Sequence, residues 1–569
     1  MKEEPVIHEN IVKNGKTLLS GKDPIGRALK IVNSVELRDR TLYFCPSPLY
    51  GYGLSEFLFR IEKETSSSAI LCIECDAQLF ELSKSGIDSS LLKNPRLRLT
   101  NIDDAAALSA FVCNAWGARA FRRAEVIRLS GGWQLNSDLY NSLYESLCGG
   151  IATDWSNALT LSKLGRLYIR NALRNLAGLS CFLPLSDLSF GRRNVLVLGA
   201  GPSLDETLDA LKGAFSGELK RPESRNFKII CVDTCLGALK DRGIIPDLAV
   251  ILESQHWNLF DFISCNRWNV PAAVDLSCLP ASARVLDSGG YLFMTPWTSL
   301  RIFSRFKKYG LLPPEIPPLG SVGLTAVEIA RRVTSGKIIC SGLDFSFTAD
   351  KYHCKGAPGY RSKINRQNRF NGLLSTEAYK EQSFAVLSKI NIEDQNFGAQ
   401  GNSIKDSAVF SSPVMRHYLE MFKNEFGEDR RLLDIAGTGV SLGLKTLTIN
   451  DFLNLLTVNE KREVKNEETG QKPDKILKSD ENRQNIISFF ESELERLLKL
   501  RGFLTGEAEV NTENLSVLID ECDYLWAHFP DYAAGRKSNL SDVSFLKRIR
   551  AELDPMIKLI KNAIINFGA

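Results

Sequence analysis

The sequence predicts an α/β protein whose centre is a doubly wound, mostly parallel sheet. Short apolar runs alternate with longer segments of helical spacing, which is the order of a parallel sheet with crossover helices. Several of these runs end in an acidic residue, and two are followed by glycine-containing turns. The chain has 569 residues, which is too long for one core, so several domains are expected.

The first region, residues 1–185, is predicted to be a smaller α/β domain with a helical second half. Residues 41–45 form an apolar run, and a turn with two glycines follows it. Residues 54–61 have helical spacing, and residues 69–76 form a second apolar run that ends in acids. Strand, glycine turn, helix and strand in this order make a βαβ unit.

The second region, residues 186–455, repeats this order more fully and is predicted to be a central Rossmann-like domain. Its predicted strands are residues 195–198, 227–233, 247–253 and 337–345. Asp233, Glu253 and Asp344 stand at or near the carboxyl ends of three of these strands. Ligands of such sheets bind beyond the carboxyl ends of the strands, so the three acids are expected at the ligand-binding edge.

The third region begins with a polar, charge-dense stretch over residues 456–482, which predicts a linker. Residues 483–569 have helical spacing and predict an α-helical domain, in which Pro555 starts or kinks the last helix. No chemistry-bearing motif stands out in these helices, so scaffolding or partner binding is the expected role.

Composition excludes two classes of partner. The net charge of +4 is small for this length, which argues against nucleic acid as a main ligand. No apolar run approaches the roughly 18 residues that a membrane span needs, and the first ten residues lack the apolar core of a signal peptide. We therefore expect a cytoplasmic protein without a membrane span.

The segment 194–205 is the most informative part of the chain. An apolar strand leads into Gly199, Gly201 and Pro202, which force a tight turn, and Ser203 or Asp205 can then cap a helix. A glycine turn at a helix N-terminus presents backbone N–H groups and a positive dipole end, which suits phosphate. The sequence therefore predicts a site for a nucleotide or a nucleotide-linked donor.

Four later segments accompany this turn and together carry a resemblance to a known family. They are residues 231–239, 243–247, 319–330 and 341–353. The chain resembles the motility-associated factor (Maf) family of flagellin glycosyltransferases. Its central region is similar to the archaeal 6-hydroxymethylpterin diphosphokinase-like domain, and the two flanking regions look like the family's N-terminal domain and variable tail.

A more distant resemblance is to the bacterial sialyltransferases that use CMP-sialic acid, and it implies roles for individual residues. The family's nucleotide-binding positions correspond to the glycine turn, to Asp233 with its neighbour Thr234, to the step from Ser321 to Gly323, and to the segment with Asp344; Glu253 is expected at the same edge. Tyr352 corresponds to a tyrosine that holds the donor phosphate.

This chain departs from the sialyltransferase pattern at two positions. A second phosphate-binding tyrosine of those enzymes is replaced by Ser346, whose hydroxyl has a shorter reach. No histidine occurs between His353 and His417, where the sialyltransferases carry their base. Either His353, the candidate base, has taken this role, or another group has, or the activity differs.

The resemblance implies an enzyme that moves a nonulosonic acid, of sialic or pseudaminic type, from a CMP-linked donor to serine or threonine hydroxyls of flagellin, for flagellar assembly or motility. Tyr352 would steady the leaving phosphate and His353 would take the proton of the acceptor hydroxyl. CMP is a good leaving group, so no metal and no further cofactor are expected.

Two alternatives stay open. Asp233, Glu253 and Asp344 could together hold Mg²⁺ for a pterin diphosphokinase-like reaction with ATP, although the P-loop signature GxxxxGK[ST] is absent from the turn. The departure at the base position is also compatible with a non-catalytic accessory factor that binds flagellin.

Overall fold

The structure is a computed structural model. It describes residues 10–117, 119–178, 182–287, 289–296, 300–348, 351–370, 384–387, 408–457, 480–507, 511–533 and 538–568. The predicted linker lies mostly outside these residues. The chain forms two compact units, Met1–Gly165 with Leu525–Ser541, and Arg166–Tyr524 with Asp542–Ala569. The predicted domain limits at residues 185, 455 and 482 stay predictions.

The first unit contains a four-stranded parallel sheet and a two-stranded antiparallel ribbon. The ribbon strands are β1 (Val12–Lys13) and β2 (Lys16–Thr17), and the sheet strands are β3 (Thr41–Pro46), β4 (Ala69–Ile73), β5 (Leu97–Thr100) and β6 (Arg123–Val126), in the order β5-β4-β3-β6. The helices of this unit are Pro24–Ser34, Leu54–Glu64, Ala77–Gly86, Ser89–Leu92, Ala105–Trp116, the first part of Ser137–Gly178, and Pro530–Ala533.

Both faces of this sheet are covered, since every residue of β3 and β4 is buried and all but Thr41 are apolar. Tyr43, Cys45 and Cys72 pack on one face, and Phe44 and Leu71 pack on the other. Successive residues of these strands thus face opposite sides of the sheet, as in any β-strand.

The second unit is built on a nine-stranded sheet in which every neighbouring pair is parallel. Its strands are β7 (Leu183–Pro184), β8 (Asn194–Leu198), β9 (Phe227–Val232), β10 (Leu248–Ile251), β11 (Ala272–Asp275), β12 (Gly290–Phe293), β13 (Ile338–Ser341), β16 (Leu432–Ile435) and β17 (Lys445–Leu447). A separate antiparallel pair is formed by β14 (Phe384–Leu387) and β15 (Ala408–Ser411). This finding confirms the predicted α/β class with a large parallel sheet, a smaller preceding sheet and helices at the C-terminal end.

The strand order β17-β16-β13-β8-β9-β10-β11-β12-β7 contains a topological switch point. From β8 the chain adds strands in one direction as far as β12, and it then returns to place β13 on the other side of β8. The loops after β8 and β13 therefore diverge, and a crevice for ligands forms at the carboxyl ends of these two strands.

The helices of the second unit cover the sheet and extend into the C-terminal region. They are the last part of Ser137–Gly178, then Leu204–Phe215, Leu236–Asp241, Pro280–Val285, Arg301–Lys308, Val322–Val333, Pro358–Arg366, Pro413–Phe426, Ile449–Thr457, Asp480–Thr505, Thr512–Glu521 and Val543–Gly568. Within this unit Arg305 binds Glu493 with two hydrogen bonds of 2.9 and 3.0 Å, and Tyr524 donates to the same carboxylate at 2.6 Å.

Two helical predictions differ from the structure in detail. The helical patterns over residues 138–147 and 156–176 belong to one helix, Ser137–Gly178, because the apolar spacing continues through Gly149 and Gly150. Pro555 was predicted to start or kink the last helix; it lies inside Val543–Gly568, so it does not start a helix. In the described residues no helix is long and apolar enough to cross a membrane.

Candidate functional site

The glycines of the turn after β8 are required by the loop after β13. Gly199 and Gly201 each donate a backbone hydrogen bond of 2.8 Å, to the carbonyl oxygens of Ser341 and Gly342. A Cβ atom on Gly201 would lie 2.4 Å from a carboxylate oxygen of Asp344, and one on Gly199 would lie 2.3 Å from the Gly342 carbonyl oxygen. Only glycine allows the two loops of the switch point to meet this closely.

Asp344 joins the two loops through its carboxylate. Its Oδ2 accepts from the Ser203 backbone N–H at 2.8 Å, and its Oδ1 accepts from the Ser203 hydroxyl. Ser203 is the N-cap residue of helix Leu204–Phe215, but its side chain makes no capping bond because the hydroxyl is given to Asp344. A carboxylate thus stands at this helix N-terminus, where its charge suits the dipole.

Asp205, in the first turn of the same helix, ties a second segment to the glycine turn. Its carboxylate accepts from Lys351 Nζ at 3.1 Å and from the Lys355 backbone N–H at 3.0 Å. The Cys354 N–H also donates to the Ala200 carbonyl oxygen at 2.9 Å. We call residues 351–355 the strap, since these three bonds hold it against the turn after β8.

The strap carries the two residues predicted to be catalytic. Tyr352 and His353 are both half-buried, and their ring centroids are 4.9 Å apart in an edge-to-face arrangement. The Tyr352 ring also lies 4.8 Å from the ring of Phe347. The structure therefore places both side chains beside the switch point with part of their surface accessible.

Three further predicted residues surround the loop after β13. The Ser346 hydroxyl donates to the Asp344 carbonyl oxygen at 3.0 Å and is buried. Ser321 caps helix Val322–Val333, since its Oγ accepts from the Gly323 N–H at 3.3 Å. A Cβ atom on Gly323 would lie 2.7 Å from the Leu343 side chain. These residues shape the loop that holds Asp344.

A second cluster of acidic residues, formed by Asp233, Glu253 and Asp261, lies beyond β9 and β10. The carboxylate of Asp233 accepts from the Thr234 N–H at 2.9 Å and from the Asn258 amide at 2.7 Å. The same amide donates to Asp261 at 3.2 Å. Burial, followed by the neighbouring charge of Glu253, raises the pKa of Asp233 to about 6, and burial with the charges of Asp233 and Glu253 raises the pKa of Asp261 to about 7.

The neighbouring acids are held by backbone groups. Glu253 accepts from the Gln255 N–H at 2.8 Å, and Asp275, at the end of β11, accepts from the N–H groups of Ser277 at 2.7 Å and Thr295 at 2.8 Å. Burial and the charges of Glu253 and Asp275 raise the pKa of Tyr168 to about 12. In the part of the chain that the structure describes, no three acidic, thiol or imidazole side chains are arranged to hold a metal ion.

The sequence did not indicate three of the residues that organise this edge. Asp205 was considered only as a cap, although it ties down the strap. Asn258 and Asp261 lie in the short 3₁₀ helix His256–Phe262 and hold or face Asp233. Their one signal was position, since this segment follows the strand that leads to Glu253.

Comparison with known proteins places this geometry in context. Residues 168–350 match the family model described as 6-hydroxymethylpterin diphosphokinase MptE-like. The structure of MAf glycosyltransferase from Magnetospirillum magneticum AMB-1 is similar with a TM-score of 0.51 and 13% sequence identity, over 96% of this chain and 84% of that one. The chain has a Maf-like fold with an MptE-like domain.

A relative extends the similarity over nearly the whole sequence. A protein of Treponema pallidum (strain Nichols), described as uncharacterized, is 27% identical over 561 residues, which are 93% of this chain and 90% of that protein. The MptE-like match contains both the glycine turn and the acidic cluster beyond β9 and β10. It ends at residue 350, directly before the strap. The family resemblance predicted from the sequence is thereby confirmed for the fold.

Proposed function

We propose that this protein is a glycosyltransferase that moves a nonulosonic acid from a CMP-linked donor to serine or threonine hydroxyls of flagellin. The observation that carries the proposal is the strap, which is tied by Asp205 and Ala200 so that Tyr352 and His353 lie beside the switch point of a parallel sheet. The Maf-like fold of the whole chain supports the same reaction class.

In the proposed reaction the bond between the anomeric carbon and the phosphate oxygen of CMP breaks. A new bond forms between this carbon and the oxygen of the acceptor hydroxyl. His353 takes the hydroxyl proton as general base, and the Tyr352 hydroxyl donates a hydrogen bond to the phosphate oxygen as negative charge grows there. The leaving CMP keeps the electron pair of the broken bond.

Asp344 has a positioning role in this proposal. It uses the Ser203 N–H and hydroxyl, so these two donors hold the turn in shape and are not left for the donor phosphate. We assign Thr234, Asp233 and Glu253, which lie beyond β9 and β10, to binding of the nucleotide. Its ribose hydroxyls and base amino group can donate hydrogen bonds to carboxylates.

One observation favours a second candidate reaction, the transfer of diphosphate from ATP with Mg²⁺. The MptE-like match covers Asp233, Glu253 and Asp344, and carboxylates are the ligands that Mg²⁺ prefers. Against it, no three such side chains of the described residues are arranged to hold a metal ion. A third candidate, a flagellin-binding factor without catalysis, requires that His353 has no chemical role.

Ligand binding separates the first two candidates. We expect CMP and CDP to raise the thermal denaturation temperature of the full chain, and ATP with Mg²⁺ to do so less. Stabilisation by ATP with Mg²⁺ that is lost in Asp233→Asn, together with no stabilisation by CMP, would favour the diphosphokinase-like reaction and reject the transferase proposal.

Two substitutions test the chemistry through the intact mass of flagellin co-expressed with the enzyme. His353→Ala should lower the transfer rate by about 10²- to 10⁴-fold, as expected for loss of a general base. Tyr352→Phe should lower it without changing the fold. His417→Ala is a matched control, because His417 is exposed on helix Pro413–Phe426. Full transfer by His353→Ala removes this residue as the base, and flagellin that is bound but never modified supports the accessory factor.

A further inference from the structure

A large cavity lies in the second unit, away from the glycine turn. It has a volume of about 660 Å³ and is formed by the end of helix Ser137–Gly178, by helix Pro280–Val285 and by helix Val543–Gly568. This volume falls within the range of about 300–1,000 Å³ that small-molecule sites occupy. The cavity is therefore large enough for an organic ligand rather than a single inorganic ion.

The charged side chains that line the cavity are all cationic. They are Arg170, Arg174, Arg284 and Lys558, from three separate helices. None of the four forms a hydrogen bond or an ion pair through its side chain with any residue in the described part of the chain. By contrast, Arg166, one turn before Arg170, forms an ion pair of 2.8 Å with Glu552.

Arg170 is half-buried, whereas Arg174, Arg284 and Lys558 are exposed, so water screens much of their mutual repulsion. The charge of Glu552 partly offsets that of Arg170. Burial, followed by the charges of Arg166 and Arg174, lowers the pKa of Arg170 from its ordinary value. A folded protein that keeps several unpaired cations around one concavity gains free energy when an anion enters it. The arginines can also bind phosphate or carboxylate with two parallel hydrogen bonds each.

The rest of the lining is mostly apolar. Leu279, Pro280 and Ala281 lie on one side, and Leu559 and Ala563 lie on the other. This composition suits a ligand with an anionic end and a flat, weakly polar body, because the body can rest on the apolar walls while the charges meet the cations. A nucleoside carrying several phosphates has this form.

Hydrogen bonds connect the walls of the cavity to the cluster of acidic residues (Asp233, Glu253 and Asp261) that lies beyond β9 and β10. Ser282, on the same short helix as Ala281 and Arg284, donates its hydroxyl to Asn258 at 2.7 Å, and Asn258 in turn donates to Asp233. Asn175, on the same helix as Arg174, donates to the carbonyl oxygens of Leu276 and Cys278, each at 2.9 Å. These hydrogen bonds connect two walls of the cavity to the loop after β11 and to the segment that holds Asp233.

We propose that this cavity binds an organic polyanion of the nucleoside polyphosphate class, at a site separate from the glycine turn. The proposal does not depend on the transferase reaction. ATP is the probe for nucleoside polyphosphates. Inorganic tripolyphosphate tests binding through the phosphates alone, and adenosine tests binding through the nucleoside alone.

Isothermal titration of the full chain tests the proposal. We expect ATP to bind more tightly than tripolyphosphate by about tenfold, and adenosine to bind weakest. Arg170→Gln and Arg284→Gln should each weaken ATP binding by about tenfold or more, and added salt should weaken it further. Lys561→Gln and Arg550→Gln are matched controls on helix Val543–Gly568, since both residues are exposed and lie outside the cavity lining.

A measurement without substitutions complements the titration. When the native protein is treated with acetic anhydride, ATP should protect Lys558 from acetylation by at least threefold and should leave Lys561 unprotected. Equal protection of the two lysines would overturn the proposal.

The design also separates this site from the proposed donor site. Tyr352→Phe should leave ATP binding unchanged even if it abolishes transfer. ATP binding that survives Arg170→Gln, Arg284→Gln and Lys558→Gln but is lost in Asp233→Asn would place ATP at the sheet edge and refute the cavity site.

Discussion

The two sheets of this protein contain the same clamp at the same position. In the first unit the Ser47 hydroxyl, just beyond β3, donates at 2.6 Å to Glu74, which follows the neighbouring strand β4. In the second unit the Ser203 hydroxyl, beyond β8, donates to Asp344, which follows the neighbouring strand β13. A serine thus joins the carboxyl ends of two parallel strands in both places.

The surroundings of the two clamps differ. Glu74 is closed in by the Tyr140 hydroxyl, which donates to it at 2.9 Å, and burial raises the pKa of Glu74. A Cβ atom on Gly132 would lie 2.1 Å from the Ser47 hydroxyl oxygen, so the chain covers this clamp tightly. The Asp344 clamp is covered as tightly, since a Cβ atom on Gly439 would lie 2.6 Å from its carboxylate, but it is also bordered by the strap with the half-buried Tyr352 and His353. The clamp itself is therefore structural, and the strap is what distinguishes a candidate site.

The largest expected effect tests this distinction with paired substitutions. Asp344→Asn replaces one of the two acceptor oxygens with an amide NH₂, which cannot accept from Ser203. One of the two bonds to Ser203 is lost and the glycine turn shifts, so we expect transfer to fall at least about 100-fold. Glu74→Gln should lower stability by about 1–3 kcal/mol, as loss of a buried hydrogen-bond partner does, and leave transfer within about twofold. Initial transfer rates and thermal denaturation measure both.

Near-ultraviolet circular dichroism of each variant shows whether the fold is kept. Equal losses of transfer in two folded variants would contradict the distinction, because they would make the clamp of the first unit as important for the reaction as that of the second.

The second prediction concerns the tie of the strap. Asp205→Asn weakens the bonds to Lys351 and Lys355 and the ion pair with Arg242 at 3.0 Å, so we expect transfer to fall about tenfold and amide hydrogen exchange over residues 351–355 to accelerate. Asp76→Asn is the matched control, because Asp76 also lies at the start of a helix and pairs with a lysine, Lys13 at 2.6 Å, in the first unit.

The control should lose up to about 1 kcal/mol of stability and keep its transfer rate. Unchanged exchange of the strap amides in Asp205→Asn would show that Asp205 does not hold the strap.

The sequence predicted the strands and their acidic ends, because apolar runs and terminal carboxyls are local features. It placed Asp233 and Asp344 at the sheet edge for this reason. The partners of these acids were not predictable, since Ser203 and Asp344 are 141 residues apart and their contact depends on β13 pairing with β8. The expected side-chain cap at Ser203 is absent because this long-range partner takes the hydroxyl.

The strap and the cavity illustrate the same limit on a larger scale. Asp205 and Lys355 are 150 residues apart, and the cations of the cavity come from helices that only the tertiary fold brings together. For helix Ser137–Gly178 the prediction of two separate helices was wrong for a local reason. Gly149 and Gly150 each cost about 1 kcal/mol relative to alanine, but the apolar stripe on either side continues and keeps the helix whole.

The smallest expected effect is a pH dependence of stability that comes from Asp261, in the acidic cluster beyond β9 and β10. Because the folded pKa of Asp261, about 7, lies above its unfolded value, the folded state binds more protons than the unfolded chain between about pH 4 and 7. Stability from this residue is present at low pH and is lost as the pH rises to 7.

Asp261→Asn removes the cost of ionisation and should stabilise the protein by about 1 kcal/mol at pH 8, since Asp261 is only half-buried and water screens part of the shift. At pH 4 the two proteins should differ little, and the exposed control Asp287→Asn should show no such trend. Thermal denaturation at pH 4, 6 and 8 measures this, and a variant destabilised equally at every pH would mean that Asp261 serves the Asn258 amide rather than carrying an ionisation penalty.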